Sequence, residues 1–212
     1  MIGVMLADDH AIVRAGLKQV LGEAPDFTVV GEAANGQEVL DLVRAKTPDV
    51  LLLDMSMPGK SGIDLIKQLK TDHPKLPILV LSMHKEEQYA VRAIKAGAAG
   101  YLTKESAAEL LVSAIRKVAG GGKYISPTVA ERLAMEYGSS REETPHTSLS
   151  DREYQIFQMI VAGTTITAIA DQLSLSVKTV STHKSRILQK MGKSSSAELI
   201  HYAIEHQLFD LH

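Results

Sequence analysis

The chain has 212 residues, of which 45% are hydrophobic, and its formal net charge is −2. This length allows two ordinary domains, and the near-neutral charge gives no global sign of nucleic-acid binding. The absence of cysteine excludes a disulfide scaffold and a cysteine-ligated zinc site. No basic segment precedes the first aspartates and no apolar run is long enough to cross a bilayer, so we expect a cytoplasmic protein without membrane contact.

Up to about residue 120, short apolar segments alternate with segments of helical periodicity. Five of the apolar segments are rich in β-branched residues, as is typical of strands buried on both faces. This alternation predicts a five-stranded parallel sheet with helices on both faces. The predicted strands are 2–7, 27–33, 50–54, 77–82 and 99–103.

The pattern changes after the glycines at 120–122, which end the fifth predicted helix. Residues 126–137 have the pattern of a short helix, and residues 138–148 are polar, as is typical of a flexible linker. From Leu149 onward four segments have helical periodicity, which predicts a small all-α domain. The predicted division is a first domain 1–120, a linker with a short helix 121–147, and a helical domain 148–212.

Charged and polar residues follow the predicted strands at their carboxyl ends, where open parallel sheets bind ligands. Asp8 and Asp9 follow the first strand, and Asp54 ends the third. Ser82 ends the fourth strand, and Lys104 follows the fifth. Each residue alone is consistent with an ordinary loop or cap position. Together they predict a Mg²⁺ site at which a carboxylate takes up a phosphoryl group, because oxygen ligands suit Mg²⁺ and a lysine neutralises the transferred oxygens.

This set resembles the receiver domain of two-component response regulators over roughly residues 1–120. The resemblance rests on the aspartate pair, the D-x-x-M-P-x-x-x-G string that begins at Asp54, Ser82, and the YLTK sequence at 101–104. It implies a doubly wound, flavodoxin-like fold. It also implies that Asp54 is the phosphoacceptor and that a sensor histidine kinase supplies the phosphoryl group.

The resemblance further implies how the pocket binds its cofactor. Asp9, Asp54 and the backbone carbonyl of Ser56 would bind Mg²⁺ directly, and Asp8 would act partly through water. Lys104 would pair with the phosphate.

Ser82 and Tyr101 would form the switch pair of such a receiver. Phosphorylation adds about −1.5 to −2 charge and strong acceptor oxygens. We expect the Ser82 hydroxyl to move toward those oxygens. The space it leaves beside the fourth strand can then be filled by the Tyr101 ring from the neighbouring strand.

The third predicted helix of the C-terminal domain has two different faces. Its apolar face is predicted to carry Val177, Val180, Ile187, Leu188 and Met191. The opposite face is polar, and between Gln172 and Lys193 the chain has basic residues but no acidic ones. A helix of this kind can enter the major groove of DNA, although an ordinary solvated amphipathic helix has the same periodicity.

The C-terminal sequence resembles the LuxR-type helix-turn-helix of the NarL/FixJ subfamily over roughly residues 147–210. The resemblance rests on L-S-x-R-E at 149–153, L-S-x-S-x-K-T-V at 173–180 and K-M-G at 190–192. It implies binding to double-stranded promoter DNA. Serine and threonine side chains discriminate only weakly between bases. The implied base-facing residues are Ser181, Thr182 and Ser185, and the residues that mostly meet phosphates are Lys178, Thr179, Lys184 and Arg186.

The two halves together predict a phosphorylation-controlled transcriptional regulator rather than an enzyme. Phosphorylation of Asp54 would let the chain bind paired DNA half-sites as a homodimer, with RNA polymerase as a further partner. One alternative is an aspartyl-phosphate hydrolase, but such enzymes typically carry a second acid two residues after the nucleophile, where this chain has Ser56. Another is a constitutive DNA-binding protein whose receiver only makes protein contacts, against which the complete acidic set argues.

Overall fold

The computed structural model describes residues 1–58, 62–82, 87–106, 108–138, 145–206 and 208. The chain divides into two compact units, Met1–Ala134 and Met135–His212. Residues 139–144 of the predicted linker lie outside the described residues, and the predicted three-part division of the chain stays a prediction. No helix in the described part of the chain combines the length and the apolar character that crossing a membrane requires.

The first unit is built around a parallel five-stranded sheet. Its strands are β1 (Ile2–Ala7), β2 (Phe27–Ala33), β3 (Val50–Asp54), β4 (Ile78–Ser82) and β5 (Gly100–Thr103). Their spatial order is β2-β1-β3-β4-β5. Every residue of β3 and β4 is buried, which explains why both strands are apolar up to their last residue rather than alternating. The prediction of a five-stranded parallel sheet is confirmed, and β4 and β5 each begin one residue later than predicted.

Helices alternate with these strands and cover both faces of the sheet. On one face, Leu21 of the first helix and Ile115 of the fifth pack into one cluster with Leu52 of β3. Residues between the strand residues of that cluster, such as Met5 and Leu53, point to the other face and are fully buried as well. The helices are α1 (Ala11–Gly22), α2 (Gly36–Ala45), α3 (Gly62–Asp72), α4 (Glu87–Lys95) and α5 (Ala108–Ala119).

The second unit is helical, as predicted. A further helix, α6 (Pro127–Gly138), spans the division between the units. Each of the last four helices begins after a serine or threonine whose hydroxyl accepts a hydrogen bond from a backbone N–H three residues later, which stabilises the first turn. These helices are α7 (Asp151–Val161), α8 (Ile166–Gln172), α9 (Val177–Met191) and α10 (Ser196–Glu205).

A short 3₁₀ helix, Pro145–Ser148, precedes α7 and was not predicted from the sequence. Its His146 is only 3% exposed, and the Nδ1 atom of His146 lies 2.7 Å from the hydroxyl of Tyr202 on α10. The Tyr202 ring also packs on the ring of His206, with the ring centroids 4.1 Å apart. Residues 145–148 are therefore packed against the helical unit, although their composition resembles that of a linker.

The edge of the sheet at β5 is extended by Tyr124. The backbone N–H of Tyr101 donates to the carbonyl of Tyr124, and the N–H of Tyr124 donates to the carbonyl of Ala99. A Cβ at Gly100 would lie 2.6 Å from the Tyr124 carbonyl oxygen and 2.8 Å from a methyl carbon of Leu79. Glycine is therefore required at this position because the neighbouring backbone approaches so closely.

We expect Gly100→Ala to lower the free energy of unfolding of the first unit by about 1–3 kcal/mol, because the added methyl group forces the backbone of Tyr124 away. Gly16→Ala is the matched control, since Gly16 lies in α1 with nothing within 4 Å of the added carbon. It should raise the free energy of unfolding by about 0.5–1 kcal/mol, because alanine favours the helix. Urea denaturation followed by circular dichroism measures both, and changes of the same sign would contradict this account.

Candidate functional site

The carboxyl ends of three strands bring together the charged residues of the first unit. Asp8 follows β1, Asp54 is the last residue of β3, and Lys104 follows β5. Asp8 and Asp54 are each only 1% exposed. The sequence predicted their convergence, because the carboxyl ends of parallel strands lie at the same edge of a sheet.

Lys104 connects the two buried carboxylates. Its Nζ donates a 2.6 Å hydrogen bond to Asp8 Oδ2 and lies 3.0 Å from Asp54 Oδ2. The second contact is an ion pair without the alignment of a hydrogen bond, so Asp54 Oδ2 has no aligned donor among the described residues. The other oxygen of Asp54 accepts a 3.2 Å hydrogen bond from the backbone N–H of Ser56. Charge rather than an aligned hydrogen bond therefore holds the buried Asp54 Oδ2 beside Lys104.

Burial and the neighbouring charges shift the pKa values of Asp54 and Lys104. Removal from water raises the pKa of the Asp54 carboxyl above its ordinary value, the positive charge of Lys104 opposes this rise, and the charge of Asp8 adds to it. Burial lowers the pKa of Lys104, but the hydrogen bond to Asp8 and the charge of Asp54 outweigh it, so that the pKa of Lys104 is raised. Additional positive charge in the pocket would favour the ionised form of Asp54.

Asp9 and His10 lie at the outer side of the pocket. The side chains are 32% and 65% exposed, and His10 Nδ1 lies 2.9 Å from Asp9 Oδ1. One ligand atom from each of Asp8, Asp9, His10 and Asp54 can be chosen so that all four lie within 4.8 Å of one another. His10 is not among the residues predicted for this site, although its position directly after the aspartate pair was a usable signal.

This donor set fits a divalent cation. Three carboxylates supply oxygen atoms that lie close together at one edge of the sheet. Oxygen donors of this kind suit Mg²⁺. Ser56, the other predicted ligand, is exposed and bonded to Asp54 through its N–H.

The predicted switch residues lie on the two strands beside Asp54. Ser82 is fully buried at the end of β4, level with Thr103 of β5, and its carbonyl accepts a 2.8 Å hydrogen bond from the backbone N–H of Lys104. Tyr101 lies two residues earlier on β5, level with Val80. Its side chain is 8% exposed, so the ring is buried in this structure.

The polar face of α9 is accessible in the second unit. Val180, Ile187 and Met191 are buried, and Leu188 is half-buried. Val177 was predicted on the apolar face and is instead 48% exposed, because it lies in the first turn of the helix, directly after the N-cap. Of the predicted DNA-contacting residues, Thr179 and Lys184 are half-buried and the others are exposed: Lys178, Ser181, Thr182, Ser185 and Arg186.

Hydroxyl groups on this face already donate hydrogen bonds to their own helix. Thr182 Oγ1 donates to the carbonyl of Lys178 at 2.9 Å, and Ser185 Oγ donates to the carbonyl of Ser181 at 3.1 Å. In this arrangement the two hydroxyl oxygens face outward as acceptors only. Such a surface is suited to donors on base edges, such as the amino groups of adenine and cytosine.

Cations on α9 divide into two groups. Among the described residues no carboxylate pairs with Lys178, Lys184 or Arg186, so their charges are available to an anionic partner. Lys190 is different, because its Nζ donates to Glu153 Oε2 at 2.6 Å and to the carbonyl of Ser148 at 3.3 Å. Lys190 therefore connects α9 to the start of α7.

Two family models match this chain, one within each of its two compact units apart from the linker. Residues 4–116 match the family described as the response regulator receiver domain. Residues 147–203 match the family described as bacterial regulatory proteins, luxR family. The first match contains the acidic pocket, and the second contains α7, α8 and α9.

Individual relatives match over nearly the whole chain. Response regulator UvrY of Escherichia coli O6:H1 is 40% identical over 98% of this chain and 96% of its own length. Response regulator GacA of Pseudomonas aeruginosa is 39% identical over 99% of each chain. Among solved structures, RcsB of Salmonella enterica serovar Typhimurium, bound to the rprA promoter in the presence of the phosphomimetic BeF₃⁻, has a TM-score of 0.66 and 27% identity over 95% of this chain and 98% of its own.

Because Glu153 is buried, we expect the stabilisation from its ion pair with Lys190 to depend on pH. Burial raises the pKa of Glu153, but its hydrogen bonds with Lys190 and Ser150 lower it more, so the pKa lies below its ordinary value of 4.5. Because folding lowers this pKa, the stabilisation is present above about pH 4.5 and is lost as the pH falls through the lower pKa of the folded state.

Near neutral pH, Lys190→Met should lower the free energy of unfolding by about 1–3 kcal/mol, because Glu153 remains a buried charge without its partner. Lys178→Met should change the free energy of unfolding by less than about 0.5 kcal/mol, because Lys178 is exposed and no described carboxylate pairs with it. Urea denaturation near neutral pH and near pH 3.5 measures the free energy of unfolding of both variants. The Lys190→Met effect should shrink at the lower pH, and an effect that is independent of pH would contradict the assignment.

Proposed function

The chain belongs to the response regulators that join a receiver domain to a LuxR-type DNA-binding domain, and from this we propose that phosphorylation of Asp54 controls its binding to promoter DNA. The observation that carries the proposal is the buried Asp54 carboxylate, whose Oδ2 lies 3.0 Å from the Nζ of Lys104. Its relatives are described as response regulators, and the chain acts as a regulator rather than as an enzyme.

Asp54 is the nucleophile of the proposed phosphoryl transfer. One oxygen of its carboxylate forms a bond to phosphorus while the bond between phosphorus and the histidine nitrogen of the sensor kinase breaks, and the histidine then takes a proton from solvent. Lys104 neutralises part of the charge on the phosphoryl oxygens. Its position 3.0 Å from Asp54 Oδ2 supports this role.

Mg²⁺ is the proposed cofactor of this pocket. When bound, it supplies positive charge that stabilises the transferred phosphoryl group. Asp9, Asp54 and the backbone carbonyl of Ser56 would hold the ion, with Asp8 acting partly through water. Asp8 also orients Lys104 through their 2.6 Å hydrogen bond.

Ser82 and Tyr101 carry the proposed signal away from the pocket. Ser82 lies at the end of β4, the strand next to Asp54, and is joined to Lys104 through its carbonyl. A turn of its hydroxyl toward the phosphate would change the space available to Tyr101 on β5. The surface formed by α4 and α5 would change as a result.

DNA binding is proposed to occur through α9, with α8 resting on the backbone. No described carboxylate pairs with Lys178, Lys184 or Arg186, which supports phosphate contacts by these cations. The residues proposed to face bases are Ser181, Thr182 and Ser185. RcsB, whose fold is similar over 95% of this chain, is bound to a promoter in its solved structure.

Dimerisation on phosphorylation would place two C-terminal domains on paired half-sites. The energy for this shift must come from the greater affinity of the phosphorylated receiver for its partner receiver.

RNA polymerase is a further proposed partner, and the cytoplasm is the proposed location. Constitutive DNA binding remains the competing function.

We expect acetyl phosphate with Mg²⁺ to phosphorylate the wild-type chain once and to leave Asp54→Asn unlabelled, because the amide is not a nucleophile. Asp41→Asn is the matched control, since Asp41 is an exposed carboxylate on α2 that should not affect labelling. Intact-protein mass spectrometry measures the added phosphoryl group.

In sedimentation and gel-shift measurements, phosphorylation should increase dimer formation and operator binding of the wild type but not of Asp54→Asn. Equal dimeric operator binding by Asp54→Asn and the phosphorylated wild type would refute the proposal.

Lys178→Met should weaken binding to operator and random DNA by a similar factor, because it removes a phosphate contact rather than a base contact. The slope of log K against log salt should fall by about one unit. Lys75→Met, at an exposed lysine of the first unit, is the control of equal charge change. Fluorescence anisotropy at several salt concentrations measures both, and an unchanged slope for Lys178→Met would place this lysine outside the interface.

A further inference from the structure

Arg14 connects α1 to the ends of two neighbouring strands. Its Nη1 donates a 2.6 Å hydrogen bond to the backbone carbonyl of Asp8, which directly follows β1. Its Nε donates to Glu32 Oε2 on β2 at 3.3 Å. The Arg14 side chain is 19% exposed, so most of it packs against the protein. Arg14 therefore reaches the pocket formed by Asp8, Asp54 and Lys104, here called the phosphorylation pocket, from its outer side.

Asp8 is held on both sides of its peptide backbone. Its N–H donates to the carbonyl of Ala33 at 3.1 Å, and its carbonyl accepts the hydrogen bond from Arg14. With both groups engaged, the direction in which the Asp8 side chain leaves the backbone is fixed. Of these two contacts, the one with Arg14 is made by a side chain, so it can be removed by substitution without altering the sheet.

The Asp8 carboxylate is in turn the group that orients Lys104. Its Oδ2 accepts a 2.6 Å hydrogen bond from Lys104 Nζ, and its Oδ1 accepts a 2.8 Å hydrogen bond from the backbone N–H of His10. Lys104 Nζ also lies 3.0 Å from Asp54 Oδ2. A chain of direct contacts therefore runs from Arg14 through Asp8 and Lys104 to the proposed nucleophile.

We propose that Arg14 is a positioning residue of the phosphorylation pocket: it fixes Asp8, and Asp8 in turn holds Lys104 at the nucleophile. Phosphoryl transfer depends on positioning and on charge stabilisation, so a small displacement of the ammonium group lowers its rate. This inference rests on the proposed function, because it names a residue that sets the rate of the phosphoryl transfer proposed for Asp54.

Lys18 provides a comparison within the same group of ion pairs. Its Nζ lies 2.7 Å from Glu32 Oε1, and its side chain is 45% exposed. Lys18 and Arg14 thus share Glu32 as a partner, whereas the hydrogen bond to the Asp8 carbonyl comes from Arg14. Substitution of each in turn separates the loss of an ion pair with Glu32 from the loss of the contact with Asp8.

Phosphorylation of the full chain by acetyl phosphate with Mg²⁺, followed by intact-protein mass spectrometry, tests the inference. Arg14→Met should lower the initial rate about tenfold, because methionine keeps an apolar stem but has no donor for Asp8. Lys18→Met, the control of equal charge change, should alter the rate by less than about twofold, since it removes a largely solvated ion pair. Arg14→Lys should recover part of the rate, because its single ammonium group can donate to Asp8 but lacks the fork that also reaches Glu32.

A double-substitution cycle shows whether Arg14 acts through Lys104. In a Lys104→Met background, with the slow labelling followed over hours, Arg14→Met should lower the remaining rate by less than about twofold, because no lysine is left for Asp8 to orient. A general weakening of the fold would instead lower the rate by the same factor in both backgrounds.

Limited acetylation of the unphosphorylated chain reports the position of Lys104 without any phosphoryl transfer. The Lys104 side chain is 11% exposed and donates to Asp8, so we expect it to react slowly with acetic anhydride. Arg14→Met should raise its modification rate about threefold or more by loosening Asp8, and Lys18→Met should leave that rate unchanged. Peptide mass spectrometry measures the modification, with the exposed Lys75 as internal standard.

The inference would be overturned by an unchanged phosphorylation rate in Arg14→Met, by an equal loss in Lys18→Met, or by an equal further loss in the Lys104→Met background. Unchanged acetylation of Lys104 in Arg14→Met would overturn it as well. Circular dichroism checks that each variant is folded. If Arg14→Met does not fold, Arg14→Lys replaces it, with a rate that should still be about threefold below that of the wild type. An unchanged rate in Arg14→Lys would then overturn the inference.

Failure of this inference is distinguishable from failure of the proposed function. A chain labelled at Asp54 at the same rate in all variants would retain the proposed function and lose the inference. A chain that is never labelled at Asp54 would lose the proposed function, and the acetylation of Lys104 would still show whether Arg14 positions it.

Discussion

The ion pairs of Lys104 hold the pocket of the first unit together. Two carboxylates with 1% exposure cannot both be charged at the same edge of a sheet without a nearby cation, because their repulsion adds to the cost of removing each from water. Lys104 lies within 3.0 Å of both. Its own charge is stabilised by the same contacts, so each of the three groups depends on the other two.

This arrangement depends on the topology of the sheet, because residues 96 positions apart must meet. Asp54 ends β3, the central strand, and is therefore buried by neighbours on both sides. Asp8 reaches it from β1 on one side, and Lys104 reaches it across β4 from β5 on the other. A short side chain could not bridge this distance, whereas the four-carbon chain of lysine can, with its ammonium group at the pocket.

The strands and the buried acidic residues could be predicted from the sequence. A continuous apolar run followed by Asp54 is a local pattern that indicates a buried strand ending at a binding site. The sequence places His10 directly after the aspartate pair but does not show where its side chain turns. Whether an imidazole turns toward solvent, a helix end or a carboxylate depends on side-chain geometry that periodicity does not contain. The same holds for Gly100, where the backbone of Tyr124 approaches closely, and for His146, whose buried ring contacts the hydroxyl of Tyr202 on the distant α10.

Lysines of α9 show how one residue type acquires two roles within one helix. Lys178 lies exposed in the first turn, and no described carboxylate pairs with it. Lys190 lies in the last turn, where its ammonium group meets Glu153 and the carbonyl of Ser148. The basic character of the segment, which the sequence presents as uniform, therefore separates into charge available to a phosphate backbone and charge that fixes the helix to its own domain. The lysine left for an anionic partner thus lies at the N-terminal end of α9, and the lysine that fixes the helix lies at its C-terminal end.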